Sequence, residues 1–254
     1  MISKKISVLG VQIDQKNHQE CVEKVIEFLN TDSQHSIFTP NPEMLVMAAS
    51  ESYFREVLNS ADLLLCDGKG VEFVTQKKLH RLSGVDFIED ICRVAAQENK
   101  KVFLLGTGSS EVLEKAKFEL EDRHLGLEIV GMHEGVTLKM SEQGVEVQDR
   151  DTHKKMLETI QKADPEILFV AFGHGKQEMW IDEYLSKLPS VQIAMGVGGS
   201  FEFIAKKLPR APKWMRSIGL EWLFRLMLQP KRIKRIWNAV VVFPVLYFFN
   251  RKQN

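Results

Sequence analysis

Residues 167–200 read ILFVAFGHGKQEMWIDEYLSKLPSVQIAMGVGGS. Ile167–Ala171 is an apolar run of strand length, Lys176–Leu188 carries a helical pattern, and Val191–Met195 is a second apolar run that stops at Gly196-Val-Gly-Gly199. Strand, helix and strand in this order form a βαβ unit. The same rhythm extends outward on both sides. Upstream, Lys101–Leu105 reads as a strand, followed by Gly106-Thr-Gly-Ser109, the helix Ser110–Leu120 and a strand at Leu127–Val130. Nearer the N-terminus come a strand at Ile6–Ile13 and a helix at His18–Leu29, with Cys21, Val22, Val25, Ile26 and Leu29 on one face. A short strand at His35–Thr39 is stopped by Pro40, Glu43–Asn59 is helical, and Ala61–Cys66 is a buried strand ending at Asp67-Gly68. Helices are expected at Gly84–Glu98 and Lys154–Ala163, and the polar residues 137–151 between them read as a loop or mobile insert. The pattern predicts an α/β fold with a mostly parallel, doubly wound sheet flanked by helices.

In such sheets ligands bind beyond the carboxyl ends of the strands. Four of those ends carry notable residues: Thr39-Pro-Asn41, Asp67-Gly-Lys-Gly70, Gly106-Thr-Gly108 and Gly196-Val-Gly-Gly199. Gly106 and Gly108 either let backbone amides approach a diphosphate at a helix N-terminus or form a tight turn capped by Ser109 or Ser110. Gly198 and Gly199 either hold a nucleotide or ribose or serve close helix–strand packing. Asp67 is placed for general-base work, and an Asp-Gly turn is the plainer reading. Asp149-Arg-Asp151 has the look of a metal-holding DxD motif, but with no rigid strand beside it the pair reads as a solvated loop, and no metal site is expected. His174 opens a helix. Glu178, in the first turn of that helix, is a candidate substrate-binding residue, and the plainer reading is that it suits the helix dipole.

Composition narrows the class. Of 254 residues, 44% are hydrophobic and 27% charged, which suits a globular chain with a sizeable core. The three cysteines, Cys21, Cys66 and Cys92, are odd in number and lack CxxC spacing, so a reducing compartment is expected. No signal peptide and no membrane-spanning stretch are expected. The zero net charge hides a division. Residues 206–254 hold twelve basic residues against one acidic residue, Glu221, while residues 1–205 hold 22 basic and 33 acidic. Trp214, Ile218, Trp222 and Leu226 recur at i, i+4 spacing in this tail. Trp237, Phe243, Tyr247, Phe248 and Phe249 join them beside Lys231, Arg232, Lys234, Arg235, Arg251 and Lys252. Aromatic and basic residues together suit an anionic membrane surface. The ten-residue apolar run Val240–Phe249 can embed there but cannot span. The tail is too apolar for nucleic acid, and no nucleic-acid module is present.

Six stretches, in order, resemble the WecG/TagA/CpsF family of bacterial glycosyltransferases. They are Thr39-Pro-Asn-Pro-Glu43, Asp67-Gly-Lys-Gly70, Arg81-Leu-Ser-Gly-Val-Asp86, Gly173-His-Gly-Lys-Gln-Glu-Met-Trp180, Gly196-Val-Gly-Gly-Ser-Phe201 and the tail from Arg210-Ala-Pro through Gly219-Leu-Glu-Trp-Leu-Phe-Arg225 and Pro230-Lys-Arg232 to Arg235. The resemblance implies a Rossmann-like catalytic domain over residues 1–205 and a helical, membrane-associating appendage over 206–254. It implies inverting transfer of N-acetylmannosamine, or a related sugar, from a UDP-sugar to undecaprenyl-diphosphate-linked N-acetylglucosamine. A β-1,4 linkage would form, as in wall teichoic acid synthesis. Asp67 is then the general base. Thr39, Asn41, Arg81 and Gln177 fall in its pocket, and Arg225, Arg232 and Arg235 close over the diphosphate. The implied location is cytoplasmic, peripheral on the inner face of the membrane, with self-association open. No cofactor is implied, and metal-independent transfer is expected. The chain departs from many relatives at His174-Gly175, where they have Ala-Pro. Two other classes share parts of the pattern. A nucleotide-dependent oxidoreductase could use Gly106-Thr-Gly108 and Glu134, but residue 111 is Glu where its third glycine falls. A non-catalytic membrane adaptor would use the sheet as a scaffold.

Overall fold

A computed structural model describes residues 4–251; Lys252 lies outside them. Strands β1 (Lys5–Val8) and β2 (Val11–Asp14) lead into α1 (His18–Leu29), β3 (His35–Phe38), α2 (Pro42–Ser50), α3 (Ser52–Ser60), β4 (Leu63–Leu64), α4 (Lys69–Val74) and α5 (Gly84–Gln97). Then come β5 (Lys101–Gly106), α6 (Ser110–Arg123), β6 (Glu128–His133), β7 (Leu138–Ser141), β8 (Gly144–Val147), α7 (Arg150–Ala163), β9 (Ile167–Ala171), α8 (Lys176–Tyr184), β10 (Ile193–Gly196) and α9 (Ser200–Ile204). The central sheet has six strands in the order β4-β3-β10-β9-β5-β6. All its pairings are parallel. The expected Rossmann-like α/β sheet is therefore present.

Alternating side chains of each strand feed two separate cores. Phe103, Leu105, Leu168, Val170 and Ala194 join α2, α3, α7 and α8 on one face. Val102, Leu104, Ile167, Phe169 and Ile193 join α1, α5, α6 and α9 on the other. Both faces are covered, which is why these strands read as unbroken apolar runs.

Several local expectations are corrected. Ile6–Ile13 is not one strand but the antiparallel hairpin β1–β2, turned at Leu9 and Gly10. Both turn residues have positive φ, the conformation a tight two-residue hairpin requires. The helix expected at Glu43–Asn59 is two helices, broken where Glu51 turns extended. The Arg55 guanidinium donates to the freed Ala48 carbonyl at 2.9 Å. The strand expected over Ala61–Cys66 pairs regularly only at Leu63 and Leu64. Residues 137–151 are not a loop. They form the antiparallel hairpin β7–β8 and the start of α7. Leu138 and Val145 point into the core while Lys139 and Glu146 face solvent.

After residue 205 the chain runs through short helices, α10 (Lys213–Ser217), α11 (Glu221–Leu228), α12 (Ile233–Trp237) and α13 (Phe243–Arg251). A 3₁₀ turn at Pro230–Arg232 precedes α12, and a π-turn at Asn238–Val242 follows it. Among the described residues no helix is long and apolar enough to cross a membrane. The apolar run Val240–Phe249, expected to lie at an interface, is divided. Phe243 is fully buried in the core shared with α2 and α4, whereas Phe249 is 67% exposed. Truncating a buried Phe to Ala typically costs about 3–5 kcal/mol. Phe243→Ala is thus expected to lower the unfolding free energy by about that amount in a denaturant titration, and to speed protease cleavage between residues 206 and 242.

Candidate active site

Asp67 follows β4 at the carboxyl edge of the sheet. Its amide donates to the Pro40 carbonyl at 3.1 Å, and the Leu82 amide donates to the Cys66 carbonyl at 2.9 Å, so the segment is held between the β3–α2 loop and the start of α5. Gly68 has φ of 142°, and a Cβ there would lie 2.8 Å from Pro42. Only glycine lets the chain pass so close to Pro42 and still present Asp67. The Gly84 amide at the head of α5 donates to the Asp67 carboxylate, and the Arg81 Nε stands 3.7 Å from its Oδ1. Burial nevertheless dominates and pushes the Asp67 pKa up to about 6, against the opposing pull of Arg81 and the Gly84 amide. About 30% of its side-chain surface still opens on the cavity, so the group is both perturbed and reachable.

Two cavities meet at Asp67. One, of 180 Å³, runs toward the sheet and is lined by Thr39, Asn41, Gln177, Gly198 and Gly199. The other, of 340 Å³, runs toward the tail. Asn41, Asp67, Arg81, Glu221, Arg225, Arg232 and Arg235 line both. A third cavity, of 400 Å³, continues from Gly198, Gly199 and Arg232 to Thr107, Gly108, Glu134 and Glu202. Glu202 Oε2 is buried without a hydrogen-bond partner among the described residues.

The polar floor is preorganised. Asn41 Oδ1 accepts from the Glu43 and Met44 amides and caps α2, with Pro42 in its first turn. Gln177 is buried, accepts from the Gly198 amide at 2.9 Å and donates to Glu178 Oε1 at 2.8 Å. Glu178 Oε2 accepts from the Gly175 amide at 2.7 Å. Burial pushes the Glu178 pKa up to about 7. A Cβ on Gly196 would lie 2.7 Å from Gln177 and 2.9 Å from Glu178, so this glycine makes room for the pair.

The tail covers the site through three ion pairs. Arg210 holds Asp86 at 2.6 and 3.3 Å, Arg81 holds Glu221 at 2.9 Å, and Arg235 Nε holds both oxygens of Glu43 at 2.8 and 3.0 Å. Arg235 also meets His174 Nδ1 at 2.7 Å. Burial lowers the His174 pKa, which keeps the ring neutral and that nitrogen an acceptor. Arg225 and Arg232 differ from Arg235, because no ion pair engages either among the described residues. Arg225 lies over the Phe203 ring at 4.6 Å. Burial lowers both pKa values; Glu221 and Asp67 pull Arg225 back up in part, while repulsion from Arg225 and Arg235 helps bring Arg232 down to about 10. Two desolvated cations facing one cavity favour a polyanion.

The sequence-predicted residues thus divide. Thr39, Asn41, Asp67, Arg81, Gln177, Gly198, Gly199, Arg225, Arg232 and Arg235 come together around Asp67. Gly108 lies in the adjoining third cavity. Gly106, read as a possible diphosphate contact, and Glu178, a candidate substrate-binding residue, line none of the three. A Cβ on Gly106 would meet the Ala171 backbone at 2.6 Å, so that glycine serves strand packing, while Glu178 acts beneath the floor through Gln177. Asp149 is not a free loop carboxylate: it caps α7, accepting from the Thr152 amide at 3.0 Å and its hydroxyl at 2.6 Å. Among the described residues no cluster of three His, Cys, Asp or Glu side chains could hold a metal. Glu43 and Glu221 were not singled out from sequence. Both fall in stretches that resemble the family, but no feature of the sequence assigned them a role.

Asp67 carries a stability cost with a definite sign. Its folded pKa is above its unfolded value, so the protonated form suits the fold and the ionised form opposes it. The stabilising contribution is present below about pH 4 and lost as pH rises through about 6. Asp67→Asn is therefore expected to raise the melting temperature at pH 8 and to leave it unchanged at pH 4. An equal shift at both pH values would show that the carboxylate is not strained.

Comparison with known sequences fits this geometry. The sequence model of the Glycosyl transferase WecG/TagA/CpsF family matches residues 6–254. Among characterised relatives is the N-acetylglucosaminyldiphosphoundecaprenol N-acetyl-beta-D-mannosaminyltransferase of Staphylococcus aureus strain NCTC 8325 / PS 47. It is 30% identical over 245 residues, covering 94% of this chain and 90% of the relative. The enzyme of the same name from strain COL matches to the same extent. The oxidoreductase and adaptor readings are set aside by this match, which runs through Asp67 and the tail arginines alike. The chain belongs to the WecG/TagA/CpsF family of glycosyltransferases.

Proposed function

We propose that the chain transfers N-acetylmannosamine, or a close relative, from its UDP donor to N-acetylglucosamine on undecaprenyl diphosphate. The linkage formed is β-1,4, and the product serves a surface polymer of the wall teichoic acid type. The observation that carries this reading is the junction itself: a reachable carboxylate with a raised pKa, beside Arg225 and Arg232, which no ion pair engages among the described residues.

In the mechanism the acceptor hydroxyl oxygen attacks the anomeric carbon while the bond from that carbon to the β-phosphate oxygen breaks. UDP leaves with the electron pair, and Asp67 takes the hydroxyl proton. In-line displacement inverts the anomeric centre, which turns an α-linked donor into a β product. Arg225, Arg232 and Arg235 stabilise the charge that grows on the diphosphate, by preorganised charge-assisted hydrogen bonds. They supply what a metal would otherwise supply, so transfer is proposed to be metal-independent. Thr39, Asn41 and Gln177 hold the transferred sugar, and Arg81 orients Asp67. The cavity at Gly108, Glu134 and Glu202 suits the nucleoside, where ribose hydroxyls give the buried Glu202 oxygen the donors it lacks.

Asp67→Asn is expected to lower kcat by about 10²–10⁴-fold with UDP binding near wild type. In the wild type, kcat/KM is expected to rise with pH through about 6, since only the ionised carboxylate accepts a proton. Transfer should persist in EDTA. Wild-type turnover by Asp67→Asn, or activity restored only by Mg²⁺ or Mn²⁺, removes the corresponding part of the mechanism.

The tail also supports residence on the inner face of the cell membrane. Trp214, Trp237, Phe248 and Phe249 are exposed near Lys231 and Lys234, the pairing that suits a headgroup layer. The three free, buried cysteines suit the reducing cytoplasmic side. Cosedimentation with anionic vesicles should exceed that with neutral ones and weaken in salt. Self-association of the free protein without vesicle binding would instead assign this face to a second copy.

A further inference from the structure

The cavity on the tail side of Asp67 changes character along its length. Near Asp67 its wall is Arg81, Arg225, Arg232 and Arg235; farther out it is Trp222, Ile236, Ala239, Val240 and Pro244. Pro244 then also lines a separate apolar depression formed with Val245, Phe248 and Phe249. The two adjoin at Pro244, so a cationic surface and an apolar one follow each other along the tail. Val245, Phe248 and Phe249 leave the apolar one exposed.

A sugar nucleotide has no use for the outer half, because its polar groups would lose water there without gaining hydrogen bonds. A diphosphate joined to a hydrocarbon chain fits both halves at once. The π-turn Asn238–Val242 brings Ala239 and Val240 to the cavity wall and packs against α2. Single π-turns inside helices recur at functional sites. Ala239 contributes only a methyl group, so a larger side chain there would fill part of the cavity.

We infer that this track binds the first isoprene units of the acceptor, those next to its diphosphate, so that the enzyme reads the lipid as well as the sugar. The inference rests on the proposed polyprenyl-diphosphate acceptor. It adds that selection for the chain is built into the protein and needs no bilayer.

The test uses full-length protein without vesicles or detergent. The acceptors are N-acetylglucosamine diphosphates esterified with prenyl chains of about 5, 10, 15 and 20 carbons, each below its aggregation concentration. Because each buried methylene adds to binding, kcat/KM is expected to rise by about tenfold or more over the shorter chains and then to level off where the track ends. In Ala239→Phe the ratio of long-chain to short-chain kcat/KM should collapse to within about twofold, since the added ring occupies the volume the chain would fill. UDP binding, measured by calorimetry, verifies that this variant is folded, and the wild-type series decides the question alone if it is not. Equal kcat/KM for all chain lengths in the wild type, or an undiminished rise in Ala239→Phe, overturns the inference. A dimer that dissociates in Ala239→Phe, with no chain-length effect, would assign the track to a second copy. Absence of transfer to every acceptor would instead remove the functional reading beneath it.

Discussion

Ion pairing between tail and body sets the geometry of everything around Asp67. Three arginine–carboxylate pairs make the contact, Arg81–Glu221, Arg210–Asp86 and Arg235–Glu43. Exposed pairs of this kind contribute little. Arg81–Glu221 and Arg235–Glu43 are partly buried in the cavity wall, where losing one partner would leave the other desolvated and uncompensated. Their placement also sorts the arginines. Arg81, Arg210 and Arg235 are engaged by carboxylates, whereas Arg225 and Arg232 have no ion pair among the described residues. Structure and chemistry draw on the same excess of positive charge, and it is the pairing that decides which residue serves which.

Asp67 sits where two requirements oppose each other. A carboxylate deep in a cavity resists ionisation, yet a general base must be ionised to work. The Gly84 amide and Arg81 relieve part of the burial cost without cancelling it, and the result is a pKa about one unit below neutrality. At neutral pH the group is mostly charged and still a better base than an exposed aspartate. Gly68 makes this arrangement sterically feasible, because α4 begins directly after it and any side chain would strike Pro42.

Much of this was legible in the sequence, for reasons that particular residues make plain. Strands β5, β9 and β10 are buried on both faces, so their apolar runs announced them, and the glycines at their ends announced the edge where ligands bind. Asp67 could be read as a turn or a base, and only its neighbours from distant segments decide between the two. Elements whose signal is a two-residue irregularity escaped. The positive φ of Leu9 split one expected strand, the extended Glu51 split one expected helix, and the alternation of Leu138, Met140, Val145 and Val147 was hidden among charges. Asp149 shows the limit of motif reading: its neighbour at the third position on, Thr152, makes it a helix cap, and nothing in the spacing of two aspartates says so. Glu43, Glu221 and Phe243 act across more than a hundred residues of chain, a relation that no local pattern encodes.

Phe243 lies near the end of the chain yet belongs to a core assembled from residues as early as Val8. Chain order and folding order therefore part company. As a nascent polypeptide emerges, the sheet and its flanking helices are complete before the segment that seals one of their faces exists. Until Phe243 arrives, the surface of α2 and α4 that it covers stays uncovered, and the cavity beside Asp67 lacks its outer wall. Synthesis of the turn that carries Phe243 completes the hydrophobic core and the active site together, so a chain stopped before it would expose an apolar face and an open site at once.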